Sequence, residues 1–126
     1  MQDKSESLIL VLEADDYMRE SIVEIFEFEG YRVTAAANGA TGLAEARKLR
    51  PDLIVCNVAL PSLNGYEVFD ALRADPETSS IPFVFLVYYK SDVPAFRAGI
   101  SDYLTAPLDP QDLIDIAALR LHRSPN

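Results

Sequence analysis

Pro51-Asp52-Leu53-Ile54-Val55-Cys56-Asn57-Val58-Ala59-Leu60-Pro61-Ser62-Leu63-Asn64-Gly65-Tyr66-Glu67-Val68 is the stretch whose reading decides the fold. An apolar run breaks off in a loop of Pro, Ser, Asn and Gly, and a helical pattern restarts at Gly65. Leu53 to Val55 is too short and too apolar to lie half exposed, which predicts a strand at the centre of a parallel sheet covered on both faces. Asn57 then falls at the carboxyl end of that strand. In open parallel α/β sheets this edge is where ligands and chemistry collect, so a polar residue there marks a candidate site.

Working outward, Leu8 to Leu12 is a second uninterrupted apolar run and a second buried strand, followed by the acidic cluster Glu13-Ala14-Asp15-Asp16. Asp15 or Asp16 caps a helix that runs to about Glu29 on Met18, Ile22, Ile25, Phe26 and Phe28, with Gly30 as its stop. Arg32 to Ala36 predicts an edge strand, Asn38-Gly39 a turn, and Thr41 to Leu49 a short helix. Gly65 to Ala74 predicts a helix with Val68, Phe69 and Leu72 inward, closed by Asp75-Pro76. Ile81 to Val87 is a further buried strand, Asp92 to Ala98 at most two turns of helix, and Tyr103 to Thr105 a short last strand. Pro110 to His122 predicts an amphipathic helix on Leu113, Ile114, Ala117 and Leu121. Strands alternating with helices in this way predict an α/β fold, a doubly wound five-stranded parallel sheet with right-handed crossovers placing helices on both faces.

A chain of 126 residues suffices for one core, read as a single domain over 8–123 with a disordered tail at 1–7 and a short tail at 124–126. Net charge is −9, and the 11 basic residues are scattered, which argues against direct nucleic acid binding. No apolar run approaches the roughly 20 residues of a membrane helix, and Met1 to Ser7 is too polar for a signal peptide. One cysteine, Cys56, lies inside the buried strand, where it reads as a small core hydrophobe in a chain suited to the reducing cytoplasm.

The opening stretch resembles the receiver domain of two-component response regulators, whose third strand and following loop read roughly P-D-L, three apolar residues, D, three apolar residues, P, two residues, D or N, G, an apolar residue, E. Every position is met except the phosphate-accepting aspartate, which falls on Asn57. The resemblance extends from Leu8 to about Arg120 and implies the flavodoxin-like strand order 2-1-3-4-5. It also implies a site of five groups: an acidic pair for Mg²⁺, the acceptor, a hydroxyl and a lysine. The pair falls on Glu13 and Ala14, the hydroxyl on Val87, and the lysine on Ala106, ahead of Pro107 with a cis bond expected between them. Four of the five positions are therefore changed. A carboxamide is too poor a nucleophile to form a phosphoanhydride, and the metal loses a ligand with Ala14.

These substitutions point to a degenerate receiver, or pseudo-receiver: not an enzyme, not phosphorylated on aspartate, with no cofactor and weak or absent Mg²⁺ binding, acting through a protein partner. The segment from Val87 to Ala106 also looks shorter than the family's. A partner face is expected there, around Tyr88, Tyr89, Phe96, Arg97, Asp102 and Tyr103, with Tyr88 and Tyr89 either covering the altered site or forming contact surface. Tyr103 holds the family's switching aromatic position, and core packing is its expected role. Ile116 replaces an arginine that one subfamily uses in dimerisation, so that dimer is not implied, and a weak homodimer stays open. His122 is expected to interact with the carbonyl end of its helix. Two alternatives stand beside this reading: a small-ligand sensor using the emptied pocket near Asn57, Val87 and Ala106, and phosphorylation at a substitute acceptor such as Asp15, Asp16 or Ser62.

Overall fold

The computed structural model describes residues 4–89 and 102–121. After a single 3-10 turn at Lys4–Glu6, the elements are β1 (Leu8–Leu12), α1 (Asp16–Phe28), β2 (Arg32–Ala36), α2 (Gly39–Leu49), β3 (Leu53–Asn57), α3 (Gly65–Arg73), β4 (Phe83–Val87), β5 (Tyr103–Thr105) and α4 (Pro110–Leu121). The strands form one parallel sheet in the order β2-β1-β3-β4-β5, as expected. The expected helix over 92–98 lies outside the described residues.

Burial follows from position in that order. All five residues of β3 and all five of β4 are buried, whereas the edge strand β2 buries only Ala36. Alternation along the strands sends side chains to two separate cores. Ile9, Val11, Leu53, Val55, Val84 and Leu86 meet α1 and α4 through Ile22, Phe26, Leu113, Ala117 and Leu121. Leu10, Leu12, Ile54, Cys56, Phe83, Phe85 and Val87 meet α2 and α3 through Ala46, Val68, Phe69 and Leu72. Phe69 packs edge-on against Phe83 with ring centres 5.2 Å apart, which ties α3 to the sheet.

Local chemistry sets the helix ends. Asp15 caps α1, its carboxylate accepting from the Met18 N–H at 2.8 Å, and Gly30 beyond the C-cap takes φ +100°. Asn64 caps α3 in a reciprocal box: its side chain accepts from the Glu67 N–H and the Glu67 carboxylate accepts from the Asn64 N–H, both at 2.9 Å. Asn38 caps α2 by accepting from the Thr41 N–H at 2.8 Å, so α2 begins at Gly39 rather than Thr41. At Gly39 a Cβ would stand 1.8 Å from the Leu63 carbonyl oxygen; only glycine lets the two loops touch.

Several expected core positions are corrected. Phe28 is 90% exposed, because two residues beyond the inward Phe26 it lies on the opposite side of the helix. On α4 it is Ile116, not Ile114, that joins the inner cluster. Tyr103 does not fill the core: it is 42% exposed on the edge strand β5, where no further strand covers it. β4 starts at Phe83, since Pro82 has no N–H to give a ladder and instead offers its carbonyl to Ile54 N–H. His122 lies outside the described residues.

Candidate functional site

Sheet register alone brings two site residues together. Val11 pairs with Val55 and Leu12 with Cys56, so one step further along both chains places Glu13 beside Asn57 at the carboxyl edge. Both are buried, at 1% and 5% exposure. The Asn57 amide Nδ2 donates to both Glu13 oxygens, at 3.2 Å to Oε1 and 3.1 Å to Oε2, and its Oδ1 accepts from the Ala59 N–H at 2.9 Å. One planar amide thus joins β1 to β3 and also shapes the first turn after β3.

A third residue completes the arrangement. The Tyr88 hydroxyl, one position past the end of β4, donates to Glu13 Oε1 at 2.5 Å. The Asp15 N–H donates to Oε2 at 3.0 Å. Glu13 therefore receives hydrogens from an amide, a phenol and a backbone N–H, and this is what makes a fully buried carboxylate tolerable. Burial pushes the Tyr88 phenol well above its ordinary pKa of 10, reinforced by its hydrogen bond to Glu13 and then by the negative charges of Glu13 and Asp15. The same surroundings push the Cys56 thiol up, burial first and Glu13 second, so this cysteine is a packed, unreactive side chain donating to the Asn57 carbonyl at 3.4 Å.

The remaining site positions are apolar. Val87 is 1% exposed at the end of β4 and belongs to the core that contains α2 and α3; Ala14 packs partly buried against that core. Ala106 follows β5, its N–H bonded to the Val87 carbonyl at 2.9 Å, and the Ala106-Pro107 bond is cis, as expected. Of the residues weighed as substitute acceptors, Asp15 caps α1, Asp16 pairs with Arg19 at 2.6 Å, and Ser62 accepts from the Ala40 N–H at 3.0 Å on the neighbouring turn.

The response regulator receiver domain family matches residues 9–118. The chain belongs to that family. An uncharacterised 14.6 kDa protein of Leptolyngbya boryana is 34% identical to this receiver over 117 residues, covering 90% of the chain and 89% of the relative. The DNA-binding response regulator MtrA of Mycolicibacterium smegmatis is 32% identical over 126 residues, 97% of the chain but only 54% of MtrA, so this receiver spans about half of that relative. Among solved structures, the receiver domain of sensor histidine kinase PA1611 from Pseudomonas aeruginosa, crystallised with magnesium in its active-site cleft, superposes with a TM-score of 0.85 at 27% identity over 93% of this chain and 98% of that one. Chemotaxis response regulator CheY4 of Vibrio cholerae gives 0.80 at 25% identity, over 90% and 97%.

Four of the six residues expected around a partner face, Tyr88, Tyr89, Asp102 and Tyr103, lie among the described residues. Tyr88 turns inward to Glu13, while Asp102 is held by Arg120 in a two-pronged pair at 2.6 Å per contact. Tyr89 is 69% exposed and Tyr103 42% exposed. Phe96 and Arg97 lie outside the described residues. Sequence reasoning missed the Tyr88 phenol as the specific partner of Glu13, although its place directly after β4 puts it on the edge where Glu13 and Asn57 meet. It also missed Arg19, which donates to the Glu13 carbonyl at 3.0 Å and fixes the turn between β1 and α1; the signal was its i,i+3 spacing from Asp16.

Proposed function

We propose that this receiver is a pseudo-receiver: a two-component signalling module that works without aspartyl phosphorylation and transmits by binding a protein partner. The observation that carries the reading is the closed set of hydrogen bonds on Glu13. Where a phosphorylatable receiver presents crowded carboxylates that need a cation, this one presents one carboxylate whose oxygens are already hydrogen-bonded by Asn57, Tyr88 and the Asp15 N–H. Asn57 has an amide in place of a nucleophilic carboxylate, and its oxygen is engaged by Ala59.

Magnesium does not fit these residues. Both Glu13 oxygens face hydrogen donors, Ala14 supplies no ligand, and among the described residues no group of three acidic, His or Cys side chains could hold a metal ion. Of the residues around the emptied pocket, Asn57 and Val87 are buried, as is Glu13 beside them, which disfavours a metabolite among them, while Ala106 is exposed. Exposed Tyr89 and Tyr103 support a contact face at the β4 and β5 edge, amphipathic aromatics being enriched in interfaces. A cytoplasmic, non-enzymatic role belongs to the same proposal, as does the absence of nucleic acid contact by this acidic chain.

Amide NMR during titration with Mg²⁺ and then beryllofluoride tests it, together with intact mass after incubation with acetyl phosphate. The expected result is no saturable shift at residues 13–16, 57 and 87–89 and no phosphoryl adduct. Saturable shifts there, or an adduct, would mean that a working phosphoryl site survives.

A further inference from the structure

β2 is one end of the sheet, paired with β1 on one side and open on the other. Its ladder to β1 uses the backbone of every second residue: the Arg32 N–H donates to the Ser7 carbonyl at 3.1 Å, and the Ala36 carbonyl accepts from the Glu13 N–H at 3.1 Å. The N–H and C=O groups of Val33 and Ala35 therefore face outward along the open edge. Natural edge strands are commonly blunted by proline, a bulge or charged side chains, but β2 reads Arg-Val-Thr-Ala-Ala and carries a charge only at its first residue. Its carboxyl half is small and neutral.

A hollow of about 350 Å³ lies between β2 and α1, with Ala35 on one side and Arg19, Glu20, Val23, Glu24 and Glu27 on the other. Ala35 is exposed and too small to fill it, while Val33, which shares its face of the strand, packs against the core. Arg19 is held by Asp16 and by the Glu13 and Ala14 carbonyls. Glu20, Glu24 and Glu27 are exposed and make no ion pair among the described residues. This side of the hollow is therefore negative and uncompensated, and the i,i+4 and i,i+3 spacing of its acids works against α1. A second copy of this chain is a poor occupant, because pairing β2 with β2 would set two such acidic flanks against each other.

We propose that the open edge of β2 takes up an extended segment of a partner protein as an added strand, one that carries lysine or arginine at every second residue. The outward groups of Val33 and Ala35 hold the backbone of that segment, and its alternate side chains stand over the hollow, where the cations meet Glu20, Glu24 and Glu27. The spacings agree: alternate residues of a strand lie about 6.7 Å apart, and residues four apart on a helix rise about 6 Å. Backbone pairing supplies the affinity, and the charge pattern selects which segment pairs. β2 and β5 are opposite ends of the sheet, so this surface is separate from Tyr89 and Tyr103, and the inference does not rest on how the Asn57 site works.

The probe is a synthetic peptide of about seven residues, with lysine at alternate positions and valine or threonine between them. Two analogues carry backbone N-methyl groups, one at the lysines and one at the residues between, so that charge is kept and alternate donors are removed. Amide NMR and calorimetry are expected to show saturable shifts of the parent peptide at residues 20–27 and 32–36. A strand pairs through alternate residues, so one analogue should bind about tenfold more weakly or worse and the other nearly as well as the parent. Glu24→Lys should weaken the parent peptide several-fold at low salt and little at high salt. Ala35→Pro removes an outward N–H that the ladder to β1 does not use, and should abolish binding while circular dichroism shows the fold retained; the two analogues and Glu24→Lys decide the matter if it does not fold. Equal binding of the parent and both analogues, which charge attraction alone would give, shifts elsewhere, or no binding would overturn the proposal. So would concentration-dependent self-association removed by Ala35→Pro, since the occupant would then be a second copy.

Discussion

An amide at position 57 does what a carboxylate could not: it gives hydrogens to Glu13. Asn57→Asp would restore the family's acceptor, but it sets two carboxyl groups about 3 Å apart in a buried site and removes the donor from both Glu13 oxygens. The expected cost is roughly 3 kcal/mol at neutral pH. The sign with pH follows from linkage. The introduced carboxyl has a folded pKa raised above its unfolded value of about 4, so the deficit is small below that pH and grows as pH rises. Urea unfolding of both proteins at about pH 4 and about pH 7.5 checks this, and a deficit that is equal at the two pH values would count against the proposed contact. Tyr88→Phe removes the phenolic donor while keeping the ring, with an expected loss of about 1 to 2 kcal/mol. Because the Tyr88 pKa is raised on folding, its contribution is fully present below pH 10 and fades as pH rises beyond it. The gap between wild type and Tyr88→Phe should therefore narrow between about pH 9 and about pH 11; a gap that widens would show that Tyr88 is not neutral and buried at Glu13. Asn57 was legible as a polar residue at the end of a buried strand, whereas Glu13 and positions 14, 87 and 106 entered only through the resemblance to receiver domains, which assigns a role to each strand end. The Tyr88 contact was legible in neither way, since a side chain one residue beyond a strand can swing inward or outward, and only the packed edge decides which.

Helices here are set by their caps more than by their composition. Asn64 and Glu67 close a capping box at the start of α3, the helix that carries Phe69 onto the aromatic core of β4. Asn64→Ala leaves the Glu67 N–H without its acceptor and frees the Glu67 side chain, with an expected loss of about 1 kcal/mol in thermal or urea unfolding. Asn64→Asp, which keeps an acceptor and adds charge at the positive end of the helix, should restore most of it. Equal losses in the two variants would assign the effect to packing instead of capping. Element positions were readable where an apolar run is bounded by a breaker: β1, β3 and α3 lie where their sequences put them. Errors arose where the signal was weaker. Gly39 looked like turn because glycine disfavours helix, yet the Leu63 carbonyl needs the space beside it and Asn38 supplies the cap. Ile114 and Ile116 fit a helical stripe equally well on α4, and the choice between them was made by which flank faces Val84 and Leu86 across the sheet.

At the scale of the whole molecule the topology was legible, because right-handed crossovers leave few ways to arrange alternating strands and helices, whereas the hollow between α1 and β2 depends on side-chain volumes that no periodicity reports. Charge is the other global property. With 20 acidic and 11 basic residues the chain carries nine uncompensated negative charges. The ion pairs among the described residues, Lys4 with Glu29, Arg19 with Asp16, Arg50 with Glu77 and Arg120 with Asp102, all lie at or near the surface. Such pairs contribute about 0 to 1 kcal/mol each and weaken with salt. Self-repulsion of the net charge also weakens with salt, and here it is the larger effect, because Glu20, Glu24 and Glu27 on α1 have no ion pair among the described residues to lose. Raising NaCl from about 10 mM to about 300 mM, which shortens the screening length from about 30 Å to well under 10 Å, should therefore raise Tm by a few degrees. Glu24→Lys should raise Tm at low salt, and the difference from wild type should shrink as salt is added. A Tm that falls with salt in the wild type would mean that the local pairs outweigh the repulsion, and the acidic stripe on α1 would then be compensated within the chain.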